Sequence, residues 1–309
     1  MTVRVVKPGF FTTVQDRGRF GLAHLGISPA GAADAISLRI ANRLVGNDDN
    51  TPGLEMTLLG ATLEFEKSAV IAICGASCEY SVGQKRATAN VAFEISDGEV
   101  LQCGSITDGV RCYLAVQGGF DVSLVMGSAS TDVRGRFGGV EGRRLQGGDL
   151  LGVRKAEKTQ TWRLRTGAME SLRRDGPIRV TKGAQHDWFS PETYARFLGA
   201  PYAVSEQSDR AGLRLKGETA SPREKTQLLT DGIPLGAIQV PQDGQPIILF
   251  VDQQTTGGYP KIANVIAADM HRIGQLRPRD EVRFTEVSMA EALDALREQG
   301  RWLKSIFVV

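Results

Sequence analysis

Histidine is nearly absent: His24, His186 and His271 are the only three in 309 residues. None stands at an HExxH or HxH spacing, so the sequence offers no histidine-built metal centre. Cysteine is scarce too. Cys74, Cys78, Cys103 and Cys112 lie in or beside apolar segments, and Cys74-x3-Cys78 lacks the second ligand pair of a structural zinc site, so buried thiols in a reducing compartment are expected. No apolar run approaches the roughly 18 residues a membrane span needs. The opening MTVRVVKPGFF has no long apolar stretch ending in a small-residue cleavage site, and a cytoplasmic location is expected. Charge of one sign is lacking as well: 37 Lys+Arg face 35 Asp+Glu, a formal net charge of +2. That balance argues against the basic stripe of a dedicated nucleic-acid binder. GxSxG and GxxxxGK[ST] are both missing, which removes the serine-hydrolase elbow and the phosphate loop from consideration.

What is present describes a folded chain. With 41% hydrophobic and 23% charged residues the composition is ordinary for a globular protein, and the length allows two or three domains. Thirty-six glycines, mostly at the ends of short alternating apolar runs, mark a mainly β protein with few helices. Strands are expected at residues 3–6, 11–15, 62–66, 69–74, 91–95, 99–102, 111–116, 178–181, 235–240, 246–251 and 281–287. Four helices stand out. One follows Ser28-Pro29 and runs to about Val45, with Ala33, Ile36, Ile40 and Leu44 on one face and Gly46-Asn47 as the stop. A short one begins at Ser190-Pro191, an N-cap followed by proline at the first helical position, and ends at Gly199. A third starts at Pro260 and places Ile262, Val265, Ile266, Met270 and Ile273 on one stripe. The last opens with the capping box Ser288-x-x-Glu291 and ends at Gly300.

The sequence also echoes itself. Val70-Ile-Ala-Ile-Cys-Gly-Ala76 matches Ile178-Arg-Val-Thr-Lys-Gly-Ala184 in pattern, and Tyr113–Val116 and Leu145–Leu150 parallel Ile248–Val251 and Leu276–Glu281 in the same order. Two related β-barrel units, residues 1–160 and 161–309, account for this, with chance likeness between glycine-rich strand ends as the alternative. The polar, arginine-rich stretch Thr159–Gly176 marks the junction, and residues 1–55 could cross between the units.

Chemistry concentrates in Asp252-Gln-Gln-Thr-Thr-Gly-Gly-Tyr-Pro-Lys261, read as an apolar strand, a glycine turn and the N-terminus of the third helix. Helix-terminal N–H groups, the hydroxyls of Thr255 and Thr256 and the Lys261 ammonium could converge there on a phosphate or carboxylate. A purely structural turn is the alternative. Asp269 falls within the apolar stripe of that helix, where a carboxylate needs a basic partner or a site to serve. Two turns, Gln15-Asp-Arg-Gly-Arg19 and Gln207-Ser-Asp-Arg-Ala-Gly-Leu-Arg214, combine carboxylate, guanidinium and glycine, suited to anion recognition or to bracing a loop. Gln239 and Ser77 place small polar groups at strand ends, where ordinary turn chemistry is the other reading. Gly135-Arg-Phe-Gly-Gly-Val-Glu-Gly-Arg-Arg144 reads as a mobile basic loop that is either solvated or covers a site or partner.

Taken together, Gln253-x-Thr255-Thr-Gly-Gly-Tyr-Pro-Lys261, Gly236-Ala-Ile-Gln-Val-Pro241, Ser208-Asp-Arg210 and Gln15-Asp-Arg-Gly-Arg19 resemble the biotin-dependent carboxyltransferase family. That family includes the C subunits of 5-oxoprolinases, a sporulation kinase-inhibitor antagonist, allophanate hydrolase subunit 2-like chains and part of urea carboxylase. Leu54-Glu55, Tyr113–Gly119, Gly127-Ser-x-Ser-Thr131 and Gly147-Gly-Asp149 extend the likeness over nearly the whole chain. The resemblance implies cyclophilin-like β-barrels and a small amide or lactam as substrate. It also implies two partners, a 5-oxoprolinase B-type chain of related fold and an A-type chain. In the 5-oxoprolinase group the complex opens 5-oxoproline to L-glutamate while hydrolysing ATP. Carboxyltransferase members instead take the carboxyl group of carboxybiotin carried by a partner, and a third group acts as a regulatory antagonist. On this basis Thr255, Thr256, Gly257, Gly258 and Lys261 are expected to bind an anionic group and Arg210 to orient a carboxylate or phosphate. Gln239 and Gln253 are expected to hydrogen-bond an amide, and Asp209 or Asp269 to position water or a proton. The chain departs from the family pattern at Ala211, where methionine is usual, and at Arg279, where glycine is usual.

Overall fold

The computed structural model describes residues 1–156, 160–172, 175–223 and 228–308. The expected junction Thr159–Gly176 includes residues 159, 173 and 174, which lie outside the described ones. Two compact units are present: Met1–Arg19 with Ala30–Leu172 and Leu303–Val309, and Phe20–Pro29 with Arg173–Trp302. Both are mainly β. Among the described residues, no helix is long and apolar enough to cross a membrane, and no group of three or more His, Cys, Asp or Glu side chains is placed to hold a metal ion.

The first unit is a nine-stranded antiparallel sheet of β1 (Thr2–Lys7), β2 (Phe11–Gln15), β3 (Gly53–Thr57), β4 (Thr62–Phe65), β5 (Ala69–Val82), β6 (Lys85–Ala87), β7 (Ala92–Ile95), β8 (Val100–Val116) and β9 (Leu150–Gly152). Its main path is β2-β3-β8-β4-β1-β9, with β5 pairing β6, β7 and β8. The 17-residue β8 organises it: one end pairs with β4, the other with β3, and β5 runs along its length. Alternation along these strands sends Val3, Val5, Leu63, Phe65, Ile71, Ile73, Leu101 and Leu114 into one core. Helix α1 (Ala35–Leu44) starts at Asp34, whose carboxylate accepts the Ser37 N–H at 3.0 Å, and buries Ile36, Leu38, Ile40 and Leu44.

The second unit contains β11 (Ile178–Lys182), β12 (Tyr202–Val204), β13 (Gly212–Gly217), β14 (Asp231–Gly232), β15 (Ala237–Gln239), β16 (Ile247–Leu249), β17 (Thr256–Gly257), β18 (Lys261–Val265), β19 (Glu281–Val282) and β20 (Phe284–Glu286), preceded in the chain by β10 (Arg163–Leu164). Eight of them follow the order β19-β12-β13-β16-β15-β18-β11-β20, while β14 and β17 form a separate two-stranded ladder. The ends of that order, β19 and β20, are separated only by Arg283, so the sheet returns nearly onto itself. Helix α2 (Pro191–Gly199) keeps the expected Ser190 cap, and its Phe197 stacks on Phe284 at 4.8 Å. Helices α3 (Met270–Ile273) and α4 (Met289–Ser305) follow, and β21 (Phe307–Val308) pairs with β10, both strands belonging to the first unit.

Two expectations fail in instructive ways. The helix expected from Pro260 is instead the strand β18, paired with β15 on one side and β11 on the other, and helix appears only at Met270–Ile273. A buried strand and a helix face both tolerate apolar residues at 262, 265 and 266, and neighbouring strands on both edges decide the matter. The expected stop of the last helix at Gly300 is also passed, since α4 continues to Ser305. The paired echoes differ in their topology: β5 at 71–75 lies on 112–116 of β8, whereas β11 lies on β18 and β20, away from 248–251. What the echoes share is local. A Cβ on Gly75 would meet the Arg111 carbonyl at 2.6 Å, and one on Gly183 would meet the Lys261 carbonyl.

Candidate functional site

All the site residues expected from the sequence belong to the second unit, but β18 divides them. At its start, Lys261 is buried with its ammonium 2.7 Å from Asp231 Oδ2 and 3.3 Å from the Gly232 carbonyl. Gln185 Oε1 accepts the Lys261 N–H at 3.1 Å, and Gln239 lies opposite Lys261 across the β15–β18 ladder. Gln239 Nε2 donates to the Tyr259 carbonyl at 3.2 Å, while Gln253 Nε2 donates to the Ile233 carbonyl at 3.0 Å. Gln253 Oε1 is buried without a hydrogen-bond partner among the described residues. The β14–β17 ladder lies over this group, pairing Asp231 with Gly257 and Gly232 with Thr256, and the Ile233 N–H donates to the Thr255 carbonyl. Gln239, Gln253, Thr255, Thr256, Gly257, Gly258 and Lys261 are thus brought into one neighbourhood.

Its construction differs from the anion cradle expected. Because Lys261 opens a strand, the Thr255–Lys261 segment leads into no helix N-terminus, and neither Gly257 nor Gly258 adopts the positive φ of a backbone nest. These glycines serve close approach. A Cβ on Gly257 would meet Ile233 Cδ1 at 2.8 Å and Gln254 Nε2 at 2.9 Å, and one on Gly258 would meet the Leu228 carbonyl at 3.1 Å. The Lys261 hydrogen bond holds the Asp231 carboxyl below the usual carboxylate range.

Three expected residues are engaged elsewhere. Asp269 lies four residues beyond the end of β18, buried, with its carboxylate accepting from the Arg179 N–H at 2.9 Å, Arg179 Nη2 at 2.6 Å and Arg272 Nη1 at 3.3 Å. Burial alone would raise its pKa. The hydrogen bonds and charge of Arg179, together with the charge of Arg272, reverse that and leave it lowered. Pairing is therefore the role the fold gives Asp269, and a carboxylate gripped this way is a poor proton acceptor. Asp209 is exposed and its Oδ1 accepts the N–H groups of Ala211 and Gly212 at 2.8 and 3.1 Å, closing a turn. Arg210 forms a buried fork with Asp252, Nε to Oδ2 at 2.8 Å and Nη2 to Oδ1 at 3.0 Å. A ligand would have to take Arg210 from Asp252. Burial raises the Cys78 thiol to about 11 and pushes those of Cys74, Cys103 and Cys112 up as well, which disfavours the thiolate form in each.

Sequence reasoning missed Asp231, Gly232 and Gln185. Asp231-Gly-Ile-Pro234 reads as a turn, and nothing local in it announces a lysine thirty residues away. Residues 135–144 keep exposed positions at 135, 136, 141 and 144 but are closely packed at their glycines. There Gly138, Gly139 and Gly142 adopt positive φ where a Cβ would strike the Ser130 carbonyl, Thr131 Oγ1 or the Arg136 backbone, so this segment is tightly seated. Beside it Asp16 is buried, accepting from Ser128 Oγ and Ser130 Oγ at 2.6 Å each, the Ala129 N–H at 2.7 Å and the Gly18 N–H at 2.8 Å. Arg19 donates to the Ser130 carbonyl and lies 4.8 Å over the Phe137 ring. In the first unit, then, the Gln15–Arg19 turn braces loops.

Comparison with known proteins follows this geometry. The family described as carboxyltransferase domain, subdomain A and B, matches residues 25–286. The chain is 39% identical over 304 residues to the C subunit of 5-oxoprolinase from Escherichia coli (strain K12), covering 98% of this chain and 97% of that one. It is 32% identical over 327 residues to urea amidolyase of Saccharomyces cerevisiae, covering 98% of this chain but 18% of the relative. Among solved structures, Kluyveromyces lactis urea carboxylase superposes with a TM-score of 0.91 at 31% identity, over 98% of this chain and 29% of that one.

Proposed function

The chain belongs to the family of carboxyltransferase domains, subdomain A and B, and from that premise we propose that it is the C subunit of a 5-oxoprolinase. In this reading it acts with A-type and B-type partner chains to open 5-oxo-L-proline to L-glutamate at the expense of ATP. The observation that carries the reading is end-to-end similarity to the C subunit of a 5-oxoprolinase, 97% of whose length is matched.

The site chemistry supports it. The substrate is a lactam bearing a carboxylate, so its recognition needs a cation and groups that pair with both faces of an amide. Lys261 supplies the cation. Gln253, with Oε1 unpartnered and buried, can accept the lactam N–H, and Gln239 lies across the ladder with a carboxamide of its own. A buried acceptor left open rewards the ligand that satisfies it and penalises one that does not. Residues 255–261 lead into a strand, and Gly257 and Gly258 are not left-handed, so in this reading ATP is assigned to residues other than these.

A second reading rests on the urea amidolyase relative at 32% identity and on the urea carboxylase superposition at a TM-score of 0.91. Under it the same residues would receive carboxybiotin from a partner and a urea-like amide. The deciding experiment is release of glutamate and ADP from 5-oxoproline and ATP by the assembled three-component complex, with and without this chain. Loss of turnover on omission supports the proposal. An assembled complex without turnover refutes it. Lys261→Met in the assembled complex is expected to lower kcat/KM by about a hundredfold, in line with removing a charged substrate contact, and full activity in that variant would remove Lys261 from the site.

A further inference from the structure

The Lys261–Asp231 pair is lopsided. The lysine side chain is 4% exposed and that of the aspartate 52%, at a separation of 2.7 Å, so the ammonium is enclosed while its counter-ion faces solvent. Asp231 is held by little else. Its segment makes a two-residue ladder with Thr256–Gly257, and Leu229 just before it is 89% exposed. A buried ammonium needs a counter-charge, but any carboxylate of suitable size provides one. Displacing Asp231 returns an already half-hydrated group to water, whereas moving Lys261 would uncover a side chain enclosed by the Gly232 carbonyl and the end of β18.

The glycines point the same way. The bare faces of Gly257 and Gly258 accept Ile233 and the Leu228 carbonyl, so the Gly-Gly pair is the seat on which residues 228–233 rest. Ile233 at the far end of this strap is buried with Ala237 and Leu249 and bonded to Thr255 and Gln253, whereas Asp231 is fastened only by its ion pair and its ladder position, so the Asp231 end is the part free to lift.

We propose that Asp231 is the resident counter-ion of this site, a latch that the carboxylate of an incoming ligand displaces from Lys261. The proposal rests on the reading of the glutamine–lysine cluster as the ligand site, and the ligand class it names is a small carboxylate-bearing amide. On binding, the ligand's carboxylate takes the ammonium, Asp231 and Gly232 leave their seat, and the amide meets Gln253 Oε1 while Ile233 keeps its core position.

Two measurements on the full chain test it. Acetylation of Lys261 by an N-hydroxysuccinimide ester, followed by peptide mass spectrometry, should be about tenfold faster in Asp231→Asn than in the wild type, with Asp231→Glu restoring protection. In the wild type, 5-oxoproline should accelerate amide exchange at residues 231 and 232, and 2-pyrrolidinone, which lacks the carboxylate, should not. Equal acetylation of wild type and Asp231→Asn, or slower exchange at 231 and 232 with 5-oxoproline, overturns the latch. Failure of the functional reading looks different. Turnover by the complex with unchanged acetylation refutes the latch alone. Faster acetylation in Asp231→Asn without turnover refutes the 5-oxoprolinase assignment and leaves the latch standing, with acetate then expected to accelerate the exchange.

Discussion

Asp16 in the first unit and Asp231 in the second each anchor a polar cluster, and they are bound in opposite ways. Asp16 is 1% exposed and receives four donors, two of them serine hydroxyls and two backbone N–H groups. Asp231 is half exposed, and its contacts are one ammonium and the N–H of the next residue. The first arrangement gives a ligand nothing to exchange with, since any replacement would have to satisfy four fixed donors at once. The second needs only one negative oxygen in the right place. An unpartnered amide oxygen does not by itself mark a site, for Gln15 Oε1 in the first unit also lacks a partner. What sets the second unit apart is the open acceptor beside a buried cation whose counter-ion can leave.

The largest effect should come from breaking the saturated cluster. Asp16→Ala strands two hydroxyls, the buried Ala129 N–H and the half-buried Gly18 N–H, and a loss of about 3 kcal/mol of unfolding free energy is expected from denaturant titration. A loss below about 1 kcal/mol would mean that the 125–143 loops hold themselves without it.

Asp269 extends the comparison to a saturated carboxylate in the second unit. Asp269→Asn should cost about 2 kcal/mol at neutral pH, because Arg179 can turn to water while Arg272 keeps carbonyl acceptors at Asp175, Gly176 and Pro177. The folded pKa of Asp269 lies below its unfolded value. Its contribution is therefore complete above the unfolded value of about 4 and fades as pH falls through the lower folded one. Unfolding curves of wild type and Asp269→Asn should accordingly converge below pH 4, and a gap that stays constant into acid would show that the charge of Asp269 is not what the two arginines recognise.

The sequence makes local signals legible and distant ones not. Ser190-Pro191 and Ser288-x-x-Glu291 carry their own capping chemistry, and both helices start where those residues place them. A strand such as Ile178–Lys182 is bounded by turn residues and alternates cleanly, so it too can be read directly. Lys261–Val265 could not be, because a central strand buried on both faces has no alternation to show. Gln239, Gln253 and Lys261 could be named from motifs, while their partner Asp231 is supplied by a pairing of β14 with β17 that no local pattern encodes. Asp209 and Arg210 show the reverse: the motif is plain, but its carboxylate closes a turn and its guanidinium is spent on Asp252.

The smallest effect expected is at Arg279, where the usual family residue is glycine. Its φ is +76°, in the left-handed region, and its N–H donates to the Val204 carbonyl at 2.7 Å, so the turn before β19 keeps a glycine-type conformation despite the side chain. An arginine there bears roughly 1 kcal/mol of strain, and glycine would remove it while adding a little less than that in unfolded-chain entropy. The ion pair with Glu206, at 2.6 Å but with side chains 84% and 68% exposed, contributes little against solvent. Arg279→Gly should therefore stabilise the chain by about 0.5 kcal/mol or leave it unchanged. That sign separates two kinds of departure from glycine. At Gly138 or Gly139 a side chain would collide with the Ser130 carbonyl or Thr131 Oγ1 as well as strain the backbone, whereas Arg279 carries only the strain. A clear loss of stability in Arg279→Gly would show instead that the Glu206 contact holds this turn, and that exposed ion pairs in the second unit count for more than their solvation allows.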